Sequence, residues 1–507
     1  MLLTCVGFFF SLSPAITGKA SELIDVTRRQ EATYFVSVNG SDDKPGTADR
    51  PWATINHAAE QAKAGDTVIV RGGRYVLSSQ VRVRNSGQSE AWITFIGYPG
   101  EKPILDASLI PHSSLVQEGL DNGAFQIEKV AYIRVVNLTV IESHDAGFTV
   151  RDSSNVELIN DATTGTFSSG IAVWDTNHSD KATQHIRILG NIIVKATTWD
   201  LAPPDVPRQG EPPHEALSIG GAIDFELAFN HVYNSDKEGI SIKETSKQGK
   251  VHHNLVHNLD RQGIDVDAYF GELRDIEIYS NVIHDCRGAG LVLSVENVQL
   301  VEQINIHNNL VFNNDGSGLL FSRFHLNNPR HNIRIVSNIF YHNGYGTPAV
   351  GQTYYWITGG LYLDSTNVHD ITIRNNIFSD NRGFQIGYSE PFLEDLRQWE
   401  AVAREKNIKI TDNLIDGRNS VNTPILSGGN PSNRVKIYAV NGERPIFADP
   451  MFKDPGEQDF SLRRGSPAAA RHVAAGAYTP GTSSELWWKR CFPPSLVAYP
   501  VRLPLKR

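Results

Sequence analysis

The sequence predicts an all-β chain wound as a parallel β-solenoid, and three observations carry that prediction. An Asn-led segment recurs through the middle of the chain: Asn230-His-Val-Tyr-Asn-Ser, Asn254-Leu-Val-His-Asn-Leu, Asn281-Val-Ile-His-Asp-Cys and Asn309-Leu-Val-Phe-Asn-Asn, with Asn338 and Asn376 opening two further copies. The leading Asn residues are 24, 27, 28, 29 and 38 positions apart, too short a period for helical repeats and about the length of one solenoid coil. The second observation is alternation. Each copy is followed by Gly and then by apolar residues at every second position: Ile240/Ile242, Ile264/Val266, Leu291/Leu293 and Leu319/Phe321. That period marks strands with one buried face. The third is composition: Ile and Val dominate these segments, as parallel strands favour.

The elements follow in order. Residues 1–20 begin Met1-Leu-Leu-Thr-Cys-Val-Gly-Phe-Phe-Phe and read as a secretion signal, an apolar core followed by small residues and too short for a typical membrane span. Residues 32–124 form an entry module. In it Tyr34-Phe-Val-Ser-Val runs into the polar turn at Asn39-Gly40, and Thr54 is placed to N-cap a short amphipathic helix from Ile55. Such a helix is the expected cap for a solenoid end, whose open strand edges need cover. Residues 125–420 hold the coils, the weaker early ones at Tyr132–Asn137, Val156–Asn160 and Ile186–Asn191. The leading Asn suits a tight turn and can bond its counterpart one coil on. A second polar column lies four residues later: Asn234, Asn258, Asp285, Asn313, His342 and Asp380. The Gly before each second strand is read as freeing the backbone for another turn. Two loops interrupt the coils, 196–214 and 343–359, and a helical insertion is expected at 390–406; solenoid insertions gather on one face, often the binding face. Residues 421–507 are a C-terminal extension.

With 507 residues the chain is long enough for several average domains, but one elongated solenoid absorbs that length. The hydrophobic fraction of 40% and charged fraction of 20% suit a soluble folded protein, and the net charge of −9 argues against a nucleic-acid binder. An anionic substrate stays open, because local clusters can oppose the net charge. Cys5 lies in the signal-like segment. Cys286 sits in a coil turn and reads as a lone thiol, the alternative being a pair with Cys491 in an oxidising compartment.

The entry module (Tyr34, Asn39-Gly40-Ser-Asp, Pro51-Trp-Ala-Thr-Ile, Ala64-Gly-Asp-Thr-Val, Arg71-Gly-Gly-Arg-Tyr75), the Asn-ladder coils and the closing segment (Asp449-Pro, Asp459-Phe-Ser-Leu, Gly465-Ser-Pro-Ala) together resemble secreted right-handed parallel β-helix proteins. Among these are pectate lyases, chondroitinase-B-like and alginate lyases, and mannuronan epimerases. The resemblance covers most of residues 32–470. It implies a right-handed parallel β-helix, a secreted or periplasmic location, an acidic polysaccharide as partner and a monomer. One fold hosts several chemistries, so the reaction must come from the site.

The candidate site follows from register. If Ile240 and Ile242 point inward, Ser241 and Lys243 point outward, and Asp265 and Asp267 do so one coil later. Coils in a parallel sheet stack about 4.8 Å apart, which makes Lys243 a neighbour of Asp267 and Ser241 a neighbour of Asp265. Tyr269 and Glu296 lie just past strand ends, Arg323 follows the strand two coils beyond Asp267, and Glu215 precedes the strand one coil before Lys243. Lys243, Asp267, Tyr269 and Arg323 are the candidate catalytic residues; His214, Glu215, Arg261 and Glu296 are candidates for substrate binding. The chemistry these types support is β-elimination on a uronate: a cation neutralises the carboxylate, and a base takes the acidic proton beside it. In the resembling lyases the cation is often calcium held by Asp or Glu and the base is Lys or Arg, which implies Asp265 and Asp267 as calcium ligands and Lys243 as base. Two carboxylates beside Lys243 raise its pKa, so a metal that cancels their charge favours the base role. The alternatives are glycoside hydrolysis by paired carboxylates, a binding-only scaffold, and a plain Lys–Asp ladder. His257 and His284 share a turn position with Tyr233, Phe312 and Tyr341 and read as a packing stack. His214-Glu215 is similar to the Asp-Pro-His-Glu motif of mannuronan epimerases, but Pro212-Pro213 precedes it and the motif's Asp is missing.

Overall fold

A computed structural model describes residues 32–111, 122–178, 182–202, 206, 212–297, 299–322, 328–346, 358–365, 367–389, 398–417, 424–426, 434–470 and 473. The signal-like segment, Cys491, Arg323 and the Tyr354–Trp356 stretch lie outside these residues. Among the described residues, three sheets of thirteen strands each run the length of the chain. One turn of the solenoid takes a strand from each: Glu272–Tyr279, then Val282–His284, then Leu291–Val295. We call these the long-strand sheet, the short-strand sheet and the site sheet. Their ladders are parallel, apart from the closing strands of the site sheet, where Arg434–Ala439 pairs antiparallel with Ile386–Ser389 and Pro424–Leu426. The first strand, Ala32–Val36, already belongs to the long-strand sheet, so the ladders run on through position 124. No helix among the described residues is long and apolar enough to cross a membrane.

The alternation seen in the sequence is what fills the interior. Ile242, Val266, Leu293 and Phe321 stack in register and are at most 1% exposed. Ile276, Ile304, Ile333 and Ile371 form the matching row on the long-strand sheet. Burying each such side chain contributes about 1.5–3 kcal/mol, repeated coil after coil. A one-residue slip would turn every one of them outward, so the pattern pins the register.

The leading Asn residues form one continuous amide ladder. Nδ2 of Asn230, Asn254, Asn281, Asn309, Asn338 and Asn376 each donates to Oδ1 of the next Asn at 2.9–3.0 Å, ending on Asn413, and Asn191 joins from below. The turn chemistry differs from expectation in one respect. The left-handed residue is the one before each ladder Asn: Phe229, His253, Ser280, Asn308, Ser337 and Asn375, all with φ between 53° and 58°. The ladder Asn serves through its side chain, satisfying buried backbone groups of the preceding coil, as Asn281 does for the Val251 carbonyl and the Asn254 N–H. The second column, Asn234, Asn258, Asp285, Asn313, His342 and Asp380, does hold left-handed turns, with φ of 51–55°.

The glycines before the site-sheet strands also act differently from the reading above. At Gly263 a Cβ would lie 2.3 Å from Ile283 Cγ2 and 2.7 Å from the Gly290 carbonyl, so the requirement is close coil stacking and not a left-handed φ.

The ends are covered. Thr54 caps the helix Ile55–Gln61 by accepting from the His57 N–H, and Ile55, Ala58 and Ala59 bury against the first coils. The hairpin Phe452–Asp454/Asp459–Leu462 lays Phe452, Phe460 and Leu462 over Leu255, Val282, Leu310 and Phe312 on the outer face of the short-strand sheet. The ring column belongs to that face: His257 and His284 stack at 4.8 Å and His284 and Phe312 at 4.7 Å, a packing role as expected. Cys286 is buried with a free thiol. The helix Trp399–Glu405 falls within the expected 390–406 insertion.

Candidate functional site

The outer face of the site sheet carries two polar columns. In register, one runs Thr149, Ala172, Ser218, Ser241, Asp265, Val292; the other runs Arg151, Trp174, Gly220, Lys243, Asp267, Ser294. Lys243 is thus paired with Asp267 and Ser241 with Asp265, as the alternation requires.

Lys243 is half-buried, and Asp265, Asp267 and Ser241 are not open to solvent, which corrects the expectation of outward, exposed groups. Asp265 and Asp267 are each 7% exposed and Ser241 is fully buried. The reason lies on both flanks. At the strand entrances sit Glu215 and Glu238, the latter ion-paired with Arg261 at 2.8 Å. At the strand exits lies the Glu244–Phe270 turn, where the Phe270 N–H donates to Glu244 Oε2 at 3.2 Å. Facing away from the core therefore does not mean facing water.

Lys243 Nζ donates to Glu215 Oε1 at 3.0 Å, and Ser218 Oγ donates to Glu215 Oε2 at 2.9 Å. Burial alone would lower the Lys243 pKa, but the charges of Glu215 and Asp267 outweigh it and hold the ammonium's pKa raised. Burial would raise Glu215, yet Lys243, Lys237 and His214 pull it below the usual carboxylate range. Asp265 is pushed well up by burial and by the charge of Asp267. Asp267 is pushed up to about 7 by burial, with Lys243 opposing and Glu296 adding to the rise. Burial likewise moves Glu244 up to about 7. Asp265 Oδ1, Asp267 Oδ1 and Ser241 Oγ are buried without a hydrogen-bond partner among the described residues. A cluster of buried, shifted carboxylates around one ammonium costs stability, and such clusters concentrate at functional sites.

The other candidates fall around this centre. Glu296 is half-buried and acts on Asp267 through its charge. Tyr269, 39% exposed, sits at the rim beside Phe270. Arg261 is committed to Glu238 at the strand entrances. His214 adopts a left-handed φ of 58° and places its ring 6.4 Å from that of Trp174. Arg323 lies outside the described residues.

Four participants were not singled out from the sequence. Glu238 was legible, because it precedes Ile240 by the same two positions that separate Glu215 from Leu217. Glu244 directly follows Lys243, and only the fold turns it back onto the cluster. Ser218 occupies the register position one coil before Ser241. Arg330 had no local signal. It is fully buried and donates to the carbonyls of Leu293, Ser322 and Asn328 and to Ser365, tying the strands beyond Asp267 together.

As a metal site the cluster supplies hard oxygen donors of the kind calcium takes, two with vacant lone pairs at Asp265 and Asp267. Among the described residues no group of three or more His, Cys, Asp or Glu side chains is arranged to hold an ion, so these two carboxylates form a partial donor set.

Residues 34–197 match the family model described as Pel9A-like, right handed beta helix region, and residues 122–297 and 213–328 match the right handed beta helix region model. The chain is a right-handed parallel β-helix. This β-helix is 35% identical to pectate lyase PEL9 of Emericella nidulans over 128 residues, 24% of the chain and 31% of that lyase, so the match spans about a third of its length. It is 26% identical over 485 residues to the uncharacterized protein YwoF of Bacillus subtilis (strain 168), covering 86% of the chain and 91% of YwoF. A solved structure titled rhamnogalacturonan lyase superposes with a TM-score of 0.41 at 14% identity, covering 68% of the chain and 81% of that lyase.

Proposed function

We propose that this β-helix is a polysaccharide lyase that cleaves a uronic-acid-containing polymer by β-elimination on the face carrying Lys243. One observation carries the reading: a half-buried lysine between Glu215 and Asp267, beside carboxylate oxygens that have no hydrogen-bond partner among the described residues. In β-elimination the proton at C5 leaves beside the uronate carboxylate, and the oxygen at C4 departs with its pair of electrons. Lys243 takes the C5 proton. To do so it must first be neutral, and Glu215 and Asp267 oppose that. Tyr269, on the exposed rim, is the candidate to return a proton to the leaving oxygen. Asp265 and Asp267 would hold calcium, which when bound neutralises the substrate carboxylate and their own negative charge. A polymeric substrate also places the protein outside the cytoplasm.

A specific observation favours a second reading, glycoside hydrolysis. Glu215 is held ionised while Asp267 is moved to about 7, and neighbouring carboxyls with separated pKa values are the pattern of an acid and its partner. One experiment separates the two. The protein is incubated with polygalacturonate, alginate and neutral galactan, and both the ultraviolet absorbance of an unsaturated uronate and the reducing ends are followed. Growth of both on an acidic polymer is the expected result. Reducing ends alone mean hydrolysis, and neither signal on any polymer ends the enzyme reading.

A further inference from the structure

Below Asn191 the amide ladder ends on an acid. Asp161 occupies the next rung, beside the Ala162–Ile192 register pair, and is 1% exposed. We propose that Asp161 is a neutral carboxylic acid whose O–H donates to Asn191 Oδ1, where the rungs above donate an amide N–H, and that this rung makes the early coils a pH-sensitive element, held at acid pH and loosened as pH rises. The element belongs to the scaffold and is independent of any reaction at Lys243.

One oxygen of Asp161 already serves as an Asn oxygen would. The Leu138 N–H donates to Asp161 Oδ1 at 2.8 Å, as the Asp161 N–H donates to Asn191 Oδ1 at 2.8 Å. The other oxygen stands where the rungs above carry an amide nitrogen. There Nδ2 donates twice: Asn191 to Asn230 Oδ1 at 3.0 Å and to the Leu158 carbonyl at 3.1 Å, and Asn230 likewise to Asn254 Oδ1 and the Ile188 carbonyl. Carried one coil down through the Leu158–Val135 pairing, the same two places are Asn191 Oδ1 and the Val135 carbonyl. Both are acceptors, and so is a carboxylate oxygen. Asp161 Oδ2 is buried with no hydrogen-bond partner among the described residues. A proton on Oδ2 makes it a donor to those acceptors, whereas an ionised group would meet them with neither a donor nor a cation between. Nor does a charge compensate. The ionisable side chains on the strands packed around this rung are Arg134 and Glu157, joined at 2.6 Å, His185 and Arg187, both joined to Asp224, and the exposed Glu142; Lys195, just past the neighbouring strand, is held by Asp200. None of them acts on Asp161. Burial is the largest influence on its proton affinity and raises it well above the ordinary 3.8, with the backbone of Leu138 and Ile159 opposing. A carboxyl that holds its proton more tightly folded than unfolded stabilises the fold fully below its unfolded pKa, and that contribution is lost as pH climbs through the folded one.

The test uses the full chain, melted at steps from about pH 4 to about pH 9, with Asp161→Asn and Asp161→Ala. Asp265, Asp267 and Glu244 also have raised pKa values, so each variant is read as a difference from the natural protein at the same pH. Asp161→Asn brings an amide that needs no proton. Its melting temperature should match that of the natural protein near the acid end and exceed it by a gap that widens by several degrees toward the alkaline end. Asp161→Ala should melt below the natural protein at acid pH, and that gap should close as pH rises. Hydrogen exchange, corrected for its intrinsic acceleration with pH, places the effect: protection of the amides at 138 and 161 should fall with rising pH in the natural protein and stay level in Asp161→Asn. The proton itself has a direct signature, the infrared carbonyl band of a carboxylic acid at neutral pH, present in the natural protein and missing from Asp161→Asn in the difference spectrum. A melting difference that does not change with pH overturns the proposal, and so does a difference spectrum without that band. An Asp161→Asn chain that fails to fold overturns it too, because the amide that fits the rungs above would then not fit this one.

Discussion

The Lys243 ammonium bonds Glu215, which precedes the strand one coil back, at 3.0 Å, while its register neighbour Asp267 keeps a buried oxygen with no hydrogen-bond partner among the described residues. The two carboxylates are therefore unequal: one is consumed in an ion pair and the other is left with capacity to bind. That asymmetry sets the predictions below.

Lys243→Ala should reduce turnover by about 10²–10⁴-fold, the usual cost of losing a general base. Glu215→Gln should leave more activity, because it removes a restraint and not the base. It should also move the basic-side requirement of the pH–rate profile downward, since Glu215 is the charge that contributes most to raising the Lys243 pKa. A Lys243→Ala variant of full activity removes Lys243 from the mechanism.

Asp267 gives a stability signature. Its carboxyl moves from 3.8 to about 7 on folding. Between about pH 4 and 7 the folded protein therefore binds more protons than the unfolded chain, and stability falls as pH rises through that window. Asp267→Asn removes this contribution. The melting temperature of the variant relative to the natural protein should increase from pH 5 to pH 8, and a difference that is flat or reversed would contradict the assigned burial.

Calcium binding at Asp265 and Asp267 requires both carboxyls ionised, against their raised pKa values. Calcium affinity measured by calorimetry should thus rise steeply between pH 6 and 8, with proton release on binding. Chelator should abolish turnover, calcium should restore it, and Asp265→Ala should lose both binding and restoration. Full turnover in excess chelator would point to a metal-free site that uses Arg323, since Arg261 is already paired with Glu238.

The amide ladder sets a stability prediction apart from the site. Asn281 donates to Asn309 Oδ1 and to the Val251 carbonyl, and accepts from the Asn254 amide side chain. Asn281→Ala strands those groups in a dry turn and should cost about 2–5 kcal/mol, one or two unsatisfied buried partners. Denaturant unfolding measures it. A cost below about 1 kcal/mol would mean that the stacked apolar rows alone hold the coils.

The sequence by itself determined the coil, its register and the neighbours within it. A period near 27 residues, an Asn at each turn and apolar residues at every second position permit one stacking, because any slip exposes the interior row. Lys243 beside Asp267, Ser241 beside Asp265 and the His257–His284 stack all follow from that local rule. The tertiary structure decided what the rule does not encode. Glu215 and Glu244 reach the cluster from outside the strands, and Arg330 arrives from a different sheet. Burial of Asp265 and Asp267 depends on those flanking side chains, and with burial come the shifted proton affinities. Register is set by nearest-neighbour stacking, which a repeat writes into the chain; desolvation is set by everything that packs around a group, and only the folded chain brings that together.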